Sequence, residues 1–204
     1  MAIGPAATSV SGPHHASDAD LLAASVARDQ NAFRVLVDRY YAVVYRVVWR
    51  MTGTQTQAED IAQEAFLRLW SNPAQIREAG ALKGWLMRVA SNLAMDGFRA
   101  RPMQDLDAAA DIADKAPDAE AASLRNWAGK RIDRAIATLP ERQRLALTLV
   151  HFEQMTNAAA AAVLDVSVDA LESLLARARR ALKEELAADR ASLLQAMDME
   201  GQKL

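Results

Sequence analysis

Apolar residues recur along this chain at intervals of three and four, and strand-like alternation is absent, so the pattern predicts helices throughout. A first helix capped by Asp18 or Asp20 runs toward Ala27. A long helix follows from Ala32 to Met51, its stripe carried by Phe33, Leu36, Val37, Tyr40, Val44, Val47 and Val48, and Thr52-Gly53 ends it. The next helix spans Ala58 to Trp70 and is broken by Ser71-Asn72-Pro73. A loop from Pro73 to about Gly80 leads into a helix from Leu82 to about Arg101. A second block opens with Leu124 to Leu139, where Trp127, Ile132, Ile136 and Leu139 form a core stripe. Pro140-Glu141 starts a helix over Arg142 to Phe152 that buries Leu145 and Leu149. Thr156 caps Asn157 to Leu164, Asp165-Val166 makes a tight turn, and Ser167 caps another helix with Asp169 in its first turn. Two short helices joined this way and ending in a basic run match a helix-turn-helix, with Asp165 where such turns prefer Gly.

Three outward faces carry candidate chemistry. On the Ala58 helix, Ile61, Ala62, Ala65, Phe66, Leu69 and Trp70 face a core. Asp60, Gln63, Glu64, Leu67 and Arg68 face out, an apolar tip among acids and an amide. The wheel alone leaves both a docking surface for a basic partner helix and a solvated face open. On the Leu82 helix, Leu86, Val89, Ala90, Leu93 and Phe98 form the buried side; Trp85, Arg88, Asn92, Asp96 and Arg99 line the other, with Met95 beside them. Trp, Arg and Asn suit an unpaired nucleic-acid strand, although Trp85 as a cap on the core and Asp96 paired with Arg88 or Arg99 explain the same pattern. On the last helix, Leu171, Leu175, Ala178 and Leu182 are buried. Asp169, Glu172, Ser173, Ala176, Arg177 and Arg180 point outward with Arg179 at the edge, a set able to read a major groove or simply to complement the helix dipole.

Composition bounds these readings. The 204 residues fit one or two small domains, half are apolar, and Gly and Pro are sparse. Without cysteine there is no disulfide framework or thiolate metal site; His14 and His15, lacking a third ligand, are weak as a metal pair. No run approaches the about 18 apolar residues of a membrane span, and the first twenty residues lack a secretory pattern. Net charge is −2, yet residues 18–104 and 124–187 are each +2 and residues 105–123 are −5. The acid is concentrated in a connector, so two mildly basic blocks remain available to DNA.

The residues also carry a resemblance. AEDIAQEAFLRLW is similar to region 2.2 of bacterial sigma factors, with its pattern E-D-x-x-Q-E-x-F-L-R-L-W. WLMRVASNLAMDGFRAR resembles regions 2.3 and 2.4, matching at Trp85, Leu86, Arg88, Ala90, Asn92, Asp96 and Arg99. LPERQRLALTLVHFEQMTNAAAAAVLDVSVDALESLLARARRAL resembles region 4, where Ser167, Ser173, Leu175, Arg177, Ala178 and Arg179 fall on the pattern. Glu172 and Leu174 stand where the family often has basic residues, and Ala158 to Ala162 replace its usual Glu-Ile-Ala core, which leaves the groove face less cationic. Over residues 20 to 187 the chain looks like the extracytoplasmic-function, or group IV, class.

That resemblance implies an all-α chain of two small helical domains joined by a flexible linker. Residues 1–17 would be a disordered leader, 18–104 a region 2-like bundle, 105–123 the acidic linker, 124–187 a region 4-like helix-turn-helix domain and 188–204 a tail. It implies an alternative sigma factor, cytoplasmic, with no cofactor, no metal and no membrane insertion. Its implied partners are core RNA polymerase, held by Asp60, Gln63, Glu64, Leu67 and Arg68, and promoter DNA. The −10 element would be opened by Trp85, Arg88, Asn92, Asp96 and Arg99 and the loop before them. The −35 element would be read by Asp169, Glu172, Ser173, Ala176, Arg177, Arg179 and Arg180. An anti-sigma factor is the implied regulator. No enzyme constellation stands out: there is no phosphate-cradling glycine loop, no metal-ligand spacing and no nucleophile with a histidine partner, and His151 reads as a packing residue. Two rivals use fewer of these faces: a regulator relying on the helix-turn-helix alone, and a sigma-like interaction protein that does not initiate transcription.

Overall fold

The structure is a computed structural model that describes residues 16–99, 119–192 and 194. The side chains of residues 98, 99 and 119–126 lie outside that description, as do His14, His15, Leu193 and Met197. Among the described residues every element is helical. The helices are α1 (Asp18–Val26), α2 (Gln30–Thr52), α3 (Gln55–Ser71), α4 (Leu82–Arg99), α5 (Ala119–Ala137), α6 (Glu141–Leu147), α7 (Asn157–Leu164) and α8 (Val168–Glu185). Short 3₁₀ turns at Pro73–Gln75 and Ala79–Ala81 bridge α3 to α4.

The helix ends follow local side-chain chemistry. Ser17, rather than Asp18 or Asp20, caps α1: its Oγ accepts from the Asp20 N–H at 3.2 Å while the Asp20 carboxylate accepts from the Ser17 N–H at 3.3 Å. Two orphan donors are thereby satisfied at once. Asp29 accepts from the Asn31 and Ala32 amides (2.8 and 3.2 Å) and so starts α2 two residues earlier than the apolar stripe implies. Gly53, at φ 71°, ends it in the left-handed conformation. Thr156 and Ser167 cap α7 and α8 as expected, and Asp165 adopts φ 54° at the turn between them.

Three expectations shift. The helix expected over Arg142–Phe152 is α-helical only to Leu147; Thr148–Phe152 is a wider π turn, with the Glu153 N–H reaching Thr148 O (3.1 Å) and the Met155 N–H reaching Leu149 O (3.0 Å). His151 lies exposed on that turn instead of packing. Helix α5 begins at Ala119, inside the acidic connector, and Trp127 is 39% exposed because Ala128 takes the inward position, against Ile132 and Leu186.

Helix α2 packs on α1, α3 and α4, while α6 and α7 pack on α8. The two sets of helices also meet each other: α7 lies on α4, and α6 on α2. One contiguous cluster therefore joins Leu36, Val44, Val47, Met51, Leu69 and Leu86 to Leu145, Leu149, Leu164 and Leu171. This explains why α4 is buried over more of its circumference than one amphipathic stripe requires. Leu86 and Ala90 are buried as expected, but Met87, Ser91 and Ala94 are buried too, and Val89 and Leu93 are only half-buried.

Candidate polymerase-docking and DNA-facing surfaces

The outward face of α3 borders a groove. Ala62, Ala65, Phe66 and Leu69 point into the core, and Ile61 and Trp70 are half-buried. Asp60, Gln63 and Arg68 are exposed, Glu64 is partly exposed, and Leu67 is 51% exposed. Glu64 accepts from Arg68 Nε at 2.8 Å, one helical turn away. Between α3 and α2 lies an open groove of about 660 Å³, floored by Phe33, Val37, Tyr41, Phe66, Leu67 and Trp70, with Gln30, Glu59 and Gln63 at its edge. Its aromatic floor is built by contact: Phe33 and Trp70 have centroids 4.8 Å apart, Tyr41 and Phe66 6.2 Å. Arg28, at φ 66°, fixes one end by donating to Trp70 O (2.6 Å) and Ser71 O (3.3 Å) while lying over the Trp70 ring. An apolar floor with a polar and acidic edge suits an amphipathic helix bearing basic residues. The wheel marked Leu67; the contribution of α2 needed the tertiary structure.

The α4 face is only partly free. Asn92 and Asp96 are exposed. Trp85 is half-buried against the joint core, and the exposed Arg88 donates through Nη2 to Ala162 O of α7 at 2.6 Å. The expectation of a wholly outward face thus needs correcting for Trp85, which packs on the joint core, while Arg88 stays exposed but is engaged by α7. Arg99 belongs to α4, but its side chain is outside the described residues.

On α8, Leu171, Leu175 and Ala178 are buried and Leu182 is half-buried. Asp169, Glu172, Ser173, Ala176, Arg177, Arg179 and Arg180 are all exposed. Asn157, at the start of α7, donates to Glu172 Oε1 at 3.2 Å, so the carboxylate is held across the helix-turn-helix. Arg179 Nε turns back onto Leu175 O at 3.3 Å, consistent with its place at the edge of the arc.

Sequence reasoning missed a group of arginines. Arg144, 7% exposed, donates through Nη1 to Met51 O (2.7 Å) and through Nη2 to Ala137 O (2.7 Å) and Leu139 O (3.0 Å). Arg142 Nη2 reaches Leu164 O at 3.1 Å. Both sit in the LPERQR segment, where the pattern shows a basic motif but not what it binds. Nearby, Arg46 pairs with Glu153 (3.2 Å), whose side chain is only 4% exposed, and Arg50 lies 4.0 Å over the Phe152 ring. Burial pushes Arg50 below the ordinary guanidinium value, with Asp133 and Glu153 acting in the opposite direction. Burial likewise pushes the Asp133 carboxyl up against the pull of Arg50.

Comparison with known proteins follows the same two-part order. Residues 36–102 match Sigma-70 region 2, and residues 129–182 match Sigma-70, region 4. The ECF RNA polymerase sigma factor SigM of Mycobacterium tuberculosis (strain H37Rv) is 32% identical over 174 residues, covering 84% of this chain and 85% of that protein. SigW of Bacillus subtilis is 30% identical over 171 residues, covering 78% and 90%. Among solved structures, CnrH in complex with the cytosolic domain of CnrY is similar with a TM-score of 0.64 and 26% identity, covering 84% of this chain and 98% of that one. RpoE in complex with the anti-sigma factor NepR from Bartonella quintana gives 0.63 at 19% identity, covering 77% and 98%, a likeness of fold. The chain belongs to the ECF RNA polymerase sigma factors. It is an alternative sigma factor, a transcription initiation factor built of two helical domains.

Proposed function

We propose that the three faces divide the work of initiation. The α2–α3 groove with Asp60, Gln63, Glu64, Leu67 and Arg68 holds core RNA polymerase; Trp85, Arg88, Asn92, Asp96 and Arg99 engage the separated strand of the −10 element; and the outward arc of α8 reads the −35 element. Residues 18–104 serve as the first module, 105–123 as the connector and 124–187 as the second. The chain performs no catalysis of its own and acts in the cytoplasm, where its polymerase is. A protein that clamps it, an anti-sigma factor, is the regulatory partner; the support is CnrH, solved with the cytosolic domain of CnrY bound. Among the described residues no helix is long and apolar enough to cross a membrane.

The observation that carries this reading is the exposed Leu67 in a large apolar groove that none of the described residues fills. A regulator relying on the helix-turn-helix alone has no use for such a groove. Leu67→Asp places a charge in the groove's lining at an exposed position outside the core. We expect the purified variant to lose core polymerase affinity by about tenfold or more in a fluorescence titration, with thermal stability nearly unchanged. Unaltered affinity would remove this face from the interface.

A further inference from the structure

We infer that Glu172 sets base choice at one position of the −35 element, selecting cytosine, and that Asn157 of α7 is the residue that positions it. The inference rests on the reading of α8 as the −35 face given above and adds to it the base that one side chain prefers.

Charge along α8 is divided between its two halves. The cations Arg177, Arg179, Arg180 and Lys183 all follow Ala176 and are exposed, where they can meet phosphate. Before them, Val168 to Ala176 holds no cation and two acids, Asp169 and Glu172. It is the N-terminal part of a recognition helix that approaches base edges. Asp169 lies in the first turn, where the dipole of α8 accounts for an acid. Glu172 lies a turn further on, beyond the reach of that explanation, and is exposed on the same arc.

A carboxylate facing a duplex is repelled by phosphate and by every base atom that presents a lone pair. Guanine offers N7 and O6, thymine offers O4, and adenine sets N7 beside its amino group. Cytosine offers its N4 amino group with no acceptor on the same base in the major groove. An acceptor held at this point of the helix therefore discriminates in favour of cytosine. The hold comes from α7. Asn157, its first residue and half-buried, donates through Nδ2 to Glu172 Oε1 at 3.2 Å. A carboxylate only accepts, so the amide must present its NH2 side. Oε2 takes no partner among the described residues and stays free to accept. Fixing one oxygen removes rotamers that a long exposed side chain otherwise samples, and with them its alternative contacts. The bond spans the two helices of the helix-turn-helix, so the aim of the carboxylate follows the scaffold.

The test offers the chain, bound to core RNA polymerase, a duplex library and sequences what is retained. The library is randomised over about twelve base pairs, just over one turn, upstream of a mapped start site. The unaltered chain should enrich cytosine at one position by about fivefold or more over each other base. Glu172→Gln keeps the shape and the Asn157 bond but turns the free oxygen into an NH2 donor, so enrichment there should pass to guanine or thymine. Asn157→Asp with Glu172→Gln reverses the bond: the aspartate accepts from the amide and leaves its oxygen free. At unchanged net charge, that pair should bring cytosine back. Asn157→Ala should flatten the cytosine preference, with helical content by circular dichroism unchanged. A base profile that stays the same with Glu172→Gln overturns Glu172 as a reader. A profile that moves with Glu172→Gln but ignores both Asn157→Ala and the reversed pair overturns the positioning role of Asn157. Arg177→Ala, run in parallel, separates this failure from that of the underlying reading. If it weakens retention or alters the profile while Glu172→Gln does neither, only the role of Glu172 falls. If neither variant alters retention or profile, α8 is not the −35 face.

Discussion

A guanidinium held away from water must find acceptors for its N–H groups, and Arg144 finds three of them at helix ends. Met51 O lies in the last turn of α2, Ala137 O ends α5, and Leu139 O follows it. These carbonyls have no intrahelical partner and stand at the negative end of the dipole, so a cation there satisfies them and is stabilised in turn. Burial pushes Arg144 below the ordinary guanidinium value, with Glu141 opposing the shift. Arg144→Met should lower unfolding stability by about 1–3 kcal/mol in a urea titration, because it leaves buried acceptors unpaired. Arg144→Lys should recover little, since an ammonium cannot reproduce the planar fork toward two helices. Full recovery with Lys would mean that charge alone matters at this position. A second prediction concerns Tyr40, whose hydroxyl donates to Asp18, a carboxylate that also pairs with Arg39. Burial, then the hydrogen bond and charge of Asp18, push the Tyr40 hydroxyl from 10.0 up to about 12. In the folded chain it therefore keeps its proton where the unfolded chain has lost it. The stability it contributes is complete below pH 10 and is lost as pH rises toward 12. Tyr40→Phe should remove that alkaline loss, seen as a flatter dependence of thermal midpoint on pH over this window.

At the scale of elements, helix starts depend on short-range chemistry, whereas the carbonyls at several helix ends are satisfied by arginines distant in the chain. Thr156 and Ser167 are caps that any reading of the sequence can find, and Ser167→Ala should cost about 1 kcal/mol and loosen the start of α8. On α8 itself, Arg177 lies exposed near the middle of the outward arc. If it reads a base edge, Arg177→Ala should lose about 1–3 kcal/mol on a matched −35 duplex and relax preference at one position; uniform weakening on all sequences would assign it to phosphate. Competition between matched and mismatched duplexes at two salt concentrations separates these outcomes. What the sequence left hidden has a common cause. Arg28, Arg131 and Arg142 donate to carbonyls at the ends of α3, α8 and α7, and Arg88 donates near the end of α7. All are contacts between residues far apart in the chain, so periodicity shows only a charged position. The exposed arc of α8 was legible because one helix and its own stripe determine it. The half-burial of Trp85 against the joint core and the bond from Arg88 to Ala162 O of α7 were not, because distant parts of the chain impose them. The π turn was hidden as well: its hydrogen bonds leave the apolar spacing of Leu145 and Leu149 unchanged while rotating Phe152 and Glu153 toward α2.

For the whole molecule, the division of charge matters more than its sum. Net charge of −2 coexists with two mildly basic blocks and a connector of −5, yet several arginines that make those blocks basic are spent on helix ends. The cations left facing outward on α8 are few, and Glu172, held by Asn157, stands among them. Free DNA affinity should accordingly be low, with promoter selection emerging once polymerase supplies further contacts. That places the central claim on the joint action of chain and polymerase rather than on either alone. Run-off transcription tests it most directly: core RNA polymerase from the source organism is incubated with fragments of its genome, with and without the purified chain, and transcript 5′ ends are mapped. The account predicts discrete start sites that appear only when the chain is present, that vanish with Leu67→Asp, and that weaken with Asn92→Ala together with permanganate-detected strand opening while polymerase binding is kept. Identical transcripts with and without the unaltered chain would contradict it.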